Sequence, residues 1–338
     1  MTAPLIEAAG LGKRFTRRLD YAEKAARFLG AKIEERTVHA VDAVDLAIAP
    51  GEVLGLVGES GCGKSTLGRM MAGILPQSDG ALRWRGRDVA GLTGEAARDA
   101  RLKAQMIFQD PFASLNPRKR VRDIIGEAPR VHGLVPRRET DAYVQAVMRR
   151  VGLDPAYRDR FPHQFSGGQR QRIGIARALA VKPDFLVCDE SIAALDVSIQ
   201  AQILNLFLEL RQDLGLTYLF ISHDLGVVEH ISDRVVIMYL GRVVETASTT
   251  ELFDRPLHPY TVALLNEVPR LSNRKRKFET VKGEIPSPLH PPSGCHFHPR
   301  CPMASDICTK VEPQVRDFGS DISGQHLVAC HHAGEATP

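Results

Sequence analysis

Short apolar runs recur along this chain, and helical spacing fills the gaps between them. Val53–Val57 (VLGLV) and Phe185–Cys188 (FLVC) read as buried strands. So do 217–222 (TYLFIS), 234–240 (RVVIMYL) and 242–247 (RVVETA). Helices are expected after residue 64, after Ser166, over 197–213 and over 224–231. Ile173, Ile175, Ala176 and Leu179 mark the buried side of the one that Ser166 opens. Strands alternating with helices argue an α/β core around a parallel sheet. At the front, 5–15 and 38–48 read as an antiparallel pair leading into 53–57. Between them Ala22, Ala25, Ala26, Leu29 and Ile33 recur near helical spacing, as in a surface insertion with a short helix or a helix that touches a partner. Residues 110–165 are patterned for helices and broken at Asn116-Pro117 and Gly133, as in a helical subdomain inserted into the core. The stretch 252–271 closes the core with a helix. A basic joint, SNRKRKFET, follows, and then a proline-rich tail with little regular structure.

Composition narrows the class. The 338 residues are 43% hydrophobic and 25% charged, the balance of a globular protein. A net charge of +4 is too small to argue for nucleic acid. No apolar run approaches the roughly 18–20 residues that span a bilayer. The opening MTAPLIEAAGLGKRF lacks the basic start and apolar core of a secretion signal, so a cytosolic chain with reduced thiols is expected. Four of the six cysteines crowd into the last 44 residues and need a local explanation.

The candidate chemistry begins at Gly58–Ser65 (GESGCGKS), which matches GxxxxGK[ST] between a strand and a helix, the context a P-loop requires. Gly58, Ser60, Gly61 and Gly63 let backbone N–H groups turn around phosphate oxygens, and the following helix adds its dipole. Lys64 would reach the β- and γ-phosphates and the Ser65 hydroxyl would ligate Mg²⁺. Thr66 packs behind, and Cys62 is a small side chain suited to a tight turn. Asp189 and Glu190 end the FLVC strand: one can hold Mg²⁺ through a water, the other can polarise the attacking water. Cys188 reads as a buried strand residue. Ser166-Gly167-Gly168-Gln169 opens a helix and makes a second anion site. One ATP has one γ-phosphate, so two cradles in one chain suggest two copies of the fold sharing two ATPs.

With these motifs in this order, the chain resembles the ATP-binding-cassette family. The resemblance implies a P-loop nucleotide-binding domain over 1–253, with a RecA-like core, an antiparallel β subdomain and a helical subdomain at about 110–180. It implies that Gln109 (in MIFQDP) touches Mg²⁺ and the water and that His223 (in FISHDL) contacts the γ-phosphate. Asp196 (in AALD) would reach across a dimer, and Phe15 would stack on adenine, with Phe28 as its rival. VGESGCGKSTLGR, FQDPFASLNPRKRV, LDVSIQAQILNLFLEL and FISHDLGVVEHISDRVVIMYLGRVVE look more narrowly like the ATPase subunits of dipeptide and oligopeptide importers, in detail the F-type subunit. HPYTVALL and GEIPSPLHPPSGCHFHPRCPMA carry the match into a C-terminal extension over 254–338. The implied partners are a D-type ATPase paralogue, two transmembrane permease subunits and, indirectly, an extracytoplasmic binding protein. The implied place is the cytoplasmic face of a bacterial inner membrane. The same pattern serves nickel chelates and sugar-linked compounds, and soluble cassette ATPases share the core. Many cassettes have Pro-Thr after the catalytic acid where this chain has Ser191-Ile192; Glu190 and Asp196 are kept, so hydrolysis is expected. In the family, the loop holding Arg118, Lys119 and Arg120 receives permease coupling helices; by themselves the three read equally as a solvated face.

The tail spacing is Cys295-x5-Cys301-x6-Cys308-x21-Cys330, neither a zinc ribbon nor a bacterial ferredoxin run. Spacing leaves zinc and an iron–sulfur cluster level, with free thiols or disulfides behind them. The resemblance implies a 4Fe–4S cluster on these four cysteines, with His296, His298, His331 and His332 as bystanders.

Overall fold

Val53–Val57 is apolar at every position because both its faces are covered. In the computed structural model this segment is strand β3, buried throughout. The structure describes residues 3–17, 23, 28–29, 37–110, 113–267, 283–319 and 324–335. Burying a side chain such as Leu54 or Leu56 contributes roughly 1.5–3 kcal/mol relative to exposure.

Two sheets hold the described chain. The smaller is antiparallel: β1 (Ile6–Thr16) lies between β2 (Thr37–Ile48) and β4 (Asp79–Trp84), and β5 (Arg87–Asp88) extends β4. Ile6 faces Ile48 on one side and Trp84 on the other. The larger sheet runs β11-β12-β10-β9-β3-β8-β7-β6. Its parallel part is β9 (Arg234–Tyr239), β3, β8 (Thr217–Ile221), β7 (Phe185–Asp189) and β6 (Ala104–Ile107). Antiparallel to these, β10 (Arg242–Ser248) pairs with β9.

Helix α1 (Lys64–Met71) packs between the sheets, where Leu67, Met70 and Met71 join Leu11, Val44, Leu56 and Val187 in one core. Helix α2 (Gly94–Lys103) leads into β6. The inserted helical part comprises α3 (Val121–Val131), α4 (Thr140–Arg150) and α5 (Gly167–Leu179). Its core of Ile124, Ile125, Val144, Met148 and Ile173 is continuous with α6 (Val197–Leu214) through Ile203 and Phe207. Helix α7 (Leu225–Ile231) follows β8.

The C-terminal stretch departs from expectation in two ways. The closing helix is two helices, α8 (Thr249–Asp254) and α9 (Pro259–Asn266), because Pro256 and Pro259 cannot continue a helix. The tail is also more regular than its prolines suggest. It adds β12 (Leu327–Val328) to β10 and β11 (Arg316–Asp317) to β12, besides helix α10 (Asp306–Lys310). Two-residue strands leave no periodicity to read. Phe297, 1% exposed, shares a core with Val57, Tyr239, Tyr260 and Leu264. His326 and Glu245, both fully buried, bond at 2.7 Å. Of the helix read between β1 and β2, Ala22, Ala25, Ala26 and Ile33 lie outside the described residues; Leu29 and Phe28 are exposed. SNRKRKFET also lies outside them.

Candidate nucleotide site

Four neighbouring parallel strands deliver the candidate residues. Their order is β3, β8, β7, β6. The P-loop follows β3, His223 follows β8, Asp189 ends β7 and Glu190 follows it, and Gln109 lies just beyond β6. Ligands of open parallel sheets bind beyond the carboxyl ends of the strands, where the loop and these four side chains gather.

The P-loop is held tight by its glycines. A Cβ on Gly63, whose φ is +106°, would stand 2.1 Å from the Ala40 carbonyl oxygen; one on Gly58 would stand 2.1 Å from that of Met238. Only glycine lets the loop press against β2 and β9 in this way. Lys64 is 5% exposed, and its ammonium is folded onto the loop, donating to the carbonyls of Gly58 (2.7 Å) and Glu59 (2.9 Å). A cation satisfied by loop carbonyls and, at 3.9 Å, by the Cys62 sulfur is poised for phosphate oxygens entering the same ring. Ser60 and Gly61 form the exposed tip, and Thr66 is half-buried behind it. Burial pushes the Cys62 thiol up, so it stays neutral.

The Ser65 hydroxyl donates to Asp189 at 2.8 Å. Burial raises the Asp189 carboxyl, and the Ser65 hydrogen bond acts against that rise. Glu190 receives the Gln109 amide at 2.7 Å and lies 3.6 Å from His223 Nδ1. Its backbone sits in the left-handed region at φ +45°, uncommon for a side chain of this size. The structure therefore joins Lys64, Ser65, Asp189, Glu190, Gln109 and His223 in one place. The oxygen donors of Ser65, Asp189 and Gln109 fit a hard cation such as Mg²⁺.

Ser166, Gly167, Gly168 and Gln169 form a separate site. Ser166 caps α5 by accepting from the Gln169 N–H (3.3 Å), while Gln169 accepts from the Ser166 N–H (3.0 Å). A Cβ on Gly168 would meet Ile199 of α6 at 2.6 Å, so a side chain there would push α5 and α6 apart. Ser166 is exposed, and so is Asp196, at the start of α6. Phe15 is 44% exposed and pairs with Val38. Ala40, two residues further along β2, is the residue pressed against Gly63, so Phe15 stands on the strand next to the P-loop's support. Arg118, Lys119 and Arg120 line a cleft of about 630 Å³ in the helical insertion, shared with Arg130, Arg137 and Phe161.

The metal expected on the tail is not carried by the geometry. All six cysteines are free thiols, and among the described residues no three His, Cys, Asp or Glu side chains are arranged to hold a metal ion. Cys308 and Cys330 are buried, and burial pushes Cys301 and Cys330 up to about 11. The four do lie close enough for Cys295, Cys301 and Cys308 each to bear on Cys330. Of the histidines beside them, His296 is buried against the Leu240 carbonyl, and His332, partly exposed, bonds Ser305 and Glu335.

Three residues at the P-loop have a part that their motifs do not disclose: Tyr260 stands in HPYTVALL and Arg300 in GEIPSPLHPPSGCHFHPRCPMA. Glu59 lies within the loop at a variable position. Tyr260 and Arg300 lie two hundred residues and more away in sequence, and both bond Glu59. Only the fold brings them together.

Comparison with known proteins agrees with this geometry. Residues 41–193 match the family model "ABC transporter", and residues 244–308 match "Oligopeptide/dipeptide transporter, C-terminal region". The oligopeptide transport ATP-binding protein AppF of Bacillus subtilis (strain 168) is 52% identical over 87% of this chain and 89% of its own. The dipeptide transport ATP-binding protein DppF of Escherichia coli (strain K12) is 46% identical over 97% of this chain and 94% of its own. Among solved structures, cbiO1 from Clostridium perfringens, part of the ABC transporter complex cbiONQ, superposes with a TM-score of 0.61 at 26% identity, covering 75% of this chain and 92% of that one. The cassette MJ0796, solved as a dimer bound to ADP and Pi, shares the fold with a TM-score of 0.60 at 23% identity, over 72% of this chain and 98% of that one.

Proposed function

The chain belongs to the ABC-transporter ATPases, among the oligopeptide and dipeptide transport ATP-binding proteins, and on that premise we propose that its hydrolysis of ATP drives peptide uptake. Its place is the cytoplasmic face of the membrane, beside a second ATPase subunit of the D type and two permease subunits served by an extracytoplasmic binding protein. Among the described residues no helix is long and apolar enough to cross a membrane. The basic cleft around Arg118, Lys119 and Arg120 is the surface we assign to permease coupling helices. The names of the relatives support a peptide as cargo.

The gathering of these side chains at one end of the sheet supports the following roles. Lys64 exchanges its loop carbonyls for the β- and γ-phosphates. Ser65, Asp189 and Gln109 hold Mg²⁺, which supplies neutralisation of phosphate charge. Glu190 takes the proton of the water that attacks the γ-phosphorus, while the bond to the β-phosphate oxygen breaks and ADP leaves. Gln109 and His223 fix that carboxylate, and His223 turns to the γ-phosphate once it is present. Ser166, Gly167, Gly168 and Gln169 of the partner ATPase close over the same phosphate, Asp196 lies at the seam, and Phe15 stacks on adenine. Closure pulls on the permease, and hydrolysis reopens the dimer.

One observation carries this reading: Glu190 accepts from the Gln109 amide and lies 3.6 Å from the His223 imidazole, beside the Ser65–Asp189 pair. Glu190→Gln keeps the shape and removes the base. Expected are ATP-loaded, closed complexes with turnover lowered by about 10²–10⁴-fold; turnover at the wild-type rate refutes the assignment. We keep the 4Fe–4S cluster as a separate proposal. The resemblance of the tail and the mutual nearness of the four thiols support it, and the placement of the side chains does not. Iron content and visible absorption of anaerobically purified protein decide it, and iron-free, colourless protein ends it.

A further inference from the structure

We propose that Arg300, in the C-terminal tail, is a positioning residue for the nucleotide site, acting through Glu59 on the P-loop. The proposal rests on the reading of that loop as the ATP site.

Glu59, the second residue of the P-loop, is fixed on three sides. Its carboxylate takes a two-pronged grip from Arg300, Nη1 to Oε2 at 2.6 Å and Nη2 to Oε1 at 2.9 Å. Its N–H donates to the Tyr260 hydroxyl at 2.9 Å. Its carbonyl receives the Lys64 ammonium at 2.9 Å. Two of these partners come from beyond residue 254; the third is the side chain that must reach the phosphates. The Glu59 N–H held by Tyr260 shares one rigid peptide plane with the Gly58 carbonyl, so the same bond keeps that carbonyl turned towards the Lys64 ammonium, which it receives at 2.7 Å.

Arg300 is itself immobilised. Its side chain is 5% exposed, and it ends a short turn, His298–Arg300, directly after the buried Phe297. Its Nε–H is buried without a partner, so the fork onto Glu59 is what offsets the buried charge. Glu59 in turn holds the guanidinium firmly protonated. Planar, bidentate pairing of this kind fixes angle as well as distance. Without it, the loop at Glu59 loses its tie to the tail, and the carbonyls that set the Lys64 ammonium lose their fixed place. The tail therefore sets how strongly the loop takes nucleotide.

The test uses the full-length chain for equilibrium binding of MgATP and the assembled transporter for ATP hydrolysis. Arg300→Gln and Glu59→Gln should each weaken MgATP binding by about tenfold, the upper range for coupling through a packed network. The double variant should be no worse than either single one, because both break one contact. KM for ATP should rise while kcat at saturating ATP changes little. Arg300→Lys keeps the charge but loses the fork, and should fall between. Arg255→Gln, which loosens the tail at Phe318 far from the loop, should bind MgATP as the wild type does. Wild-type affinity in both Arg300→Gln and Glu59→Gln overturns the proposal. An equal loss in Arg255→Gln also overturns it, by reducing the effect to tail stability. If Arg300→Gln does not fold, Glu59→Gln carries the same comparison. Lys64→Ala separates the two levels: undiminished MgATP binding there defeats the nucleotide-site reading itself.

Discussion

Replacing Phe297 by alanine probes whether the C-terminal tail and the nucleotide-binding core are one folding unit. Phe297 is 1% exposed. Its ring meets Tyr239 edge-on at 5.2 Å and Tyr260 at 5.3 Å, with His258 at 5.8 Å. Truncating a buried phenylalanine costs about 3–5 kcal/mol, transfer and cavity together. Aromatic pairs at these separations account for roughly 0.5–1.5 kcal/mol each of that sum. Tyr239 lies on β9, the neighbour of the P-loop strand, so the loss falls on the central sheet rather than on a detachable tail. With about 2 °C lost per kcal/mol in a chain of this size, the thermal midpoint should fall by about 6–10 °C in one transition. Calorimetry of the full-length chain, with limited proteolysis alongside, measures it. A midpoint within about 1 °C of wild type, with only the tail becoming protease-sensitive, would show that Phe297 belongs to a separately melting segment and refute the shared-core argument.

Three further outcomes follow from the site. Gly63→Ala should abolish MgATP binding measured by calorimetry: beyond the roughly 1–3 kcal/mol cost of a left-handed alanine, its Cβ meets the Ala40 carbonyl. Ser166→Ala should leave MgATP binding to the single chain unchanged but cut turnover of the assembled transporter, besides losing about 1 kcal/mol of helix capping. Asp189 has a pKa raised by burial, so the folded chain holds that proton more tightly than the unfolded one. Its contribution to nucleotide-free stability is thus full below the ordinary carboxylate range and lost as pH rises through the raised value. Asp189→Asn should flatten that slope, raise the nucleotide-free melting temperature at neutral pH and lose Mg²⁺-dependent stabilisation by ATP.

Legibility in the sequence followed element length and locality. β3 was readable to the residue because a strand covered on both faces is apolar at every position. Ser166 and its helix were readable because a cap and its partner lie three residues apart. The stretch 76–104 went unread, although Leu82 and Trp84 alternate with Ala81 and Arg83 on β4. A positive φ at Gly80 shifts its register within the strand, a turn at Gly86 follows closely, and the short strand borrows its stability from β1. The motif residues of the candidate site were legible because each is anchored to the end of its own strand. The Arg300–Glu59 contact was not, since 241 residues separate its ends and neither of the motifs that contain them implies the other. The tail thiols were legible as a group, but spacing carries no information about the angles a metal demands.

One consequence of the added tail strands concerns how the protein behaves at high concentration. Without them β10, a seven-residue strand, would form an open rim, and open rims recruit strands from other molecules. β12 occupies part of that rim, aided by a bond from the Ala329 N–H to the Val244 carbonyl. The ladder then stops at Arg316 and Asp317, two exposed residues of opposite charge. A rim that short and that charged offers a passing polypeptide almost nothing to zip onto. The tail thus guards solubility at the edge of the very sheet whose centre carries the chemistry.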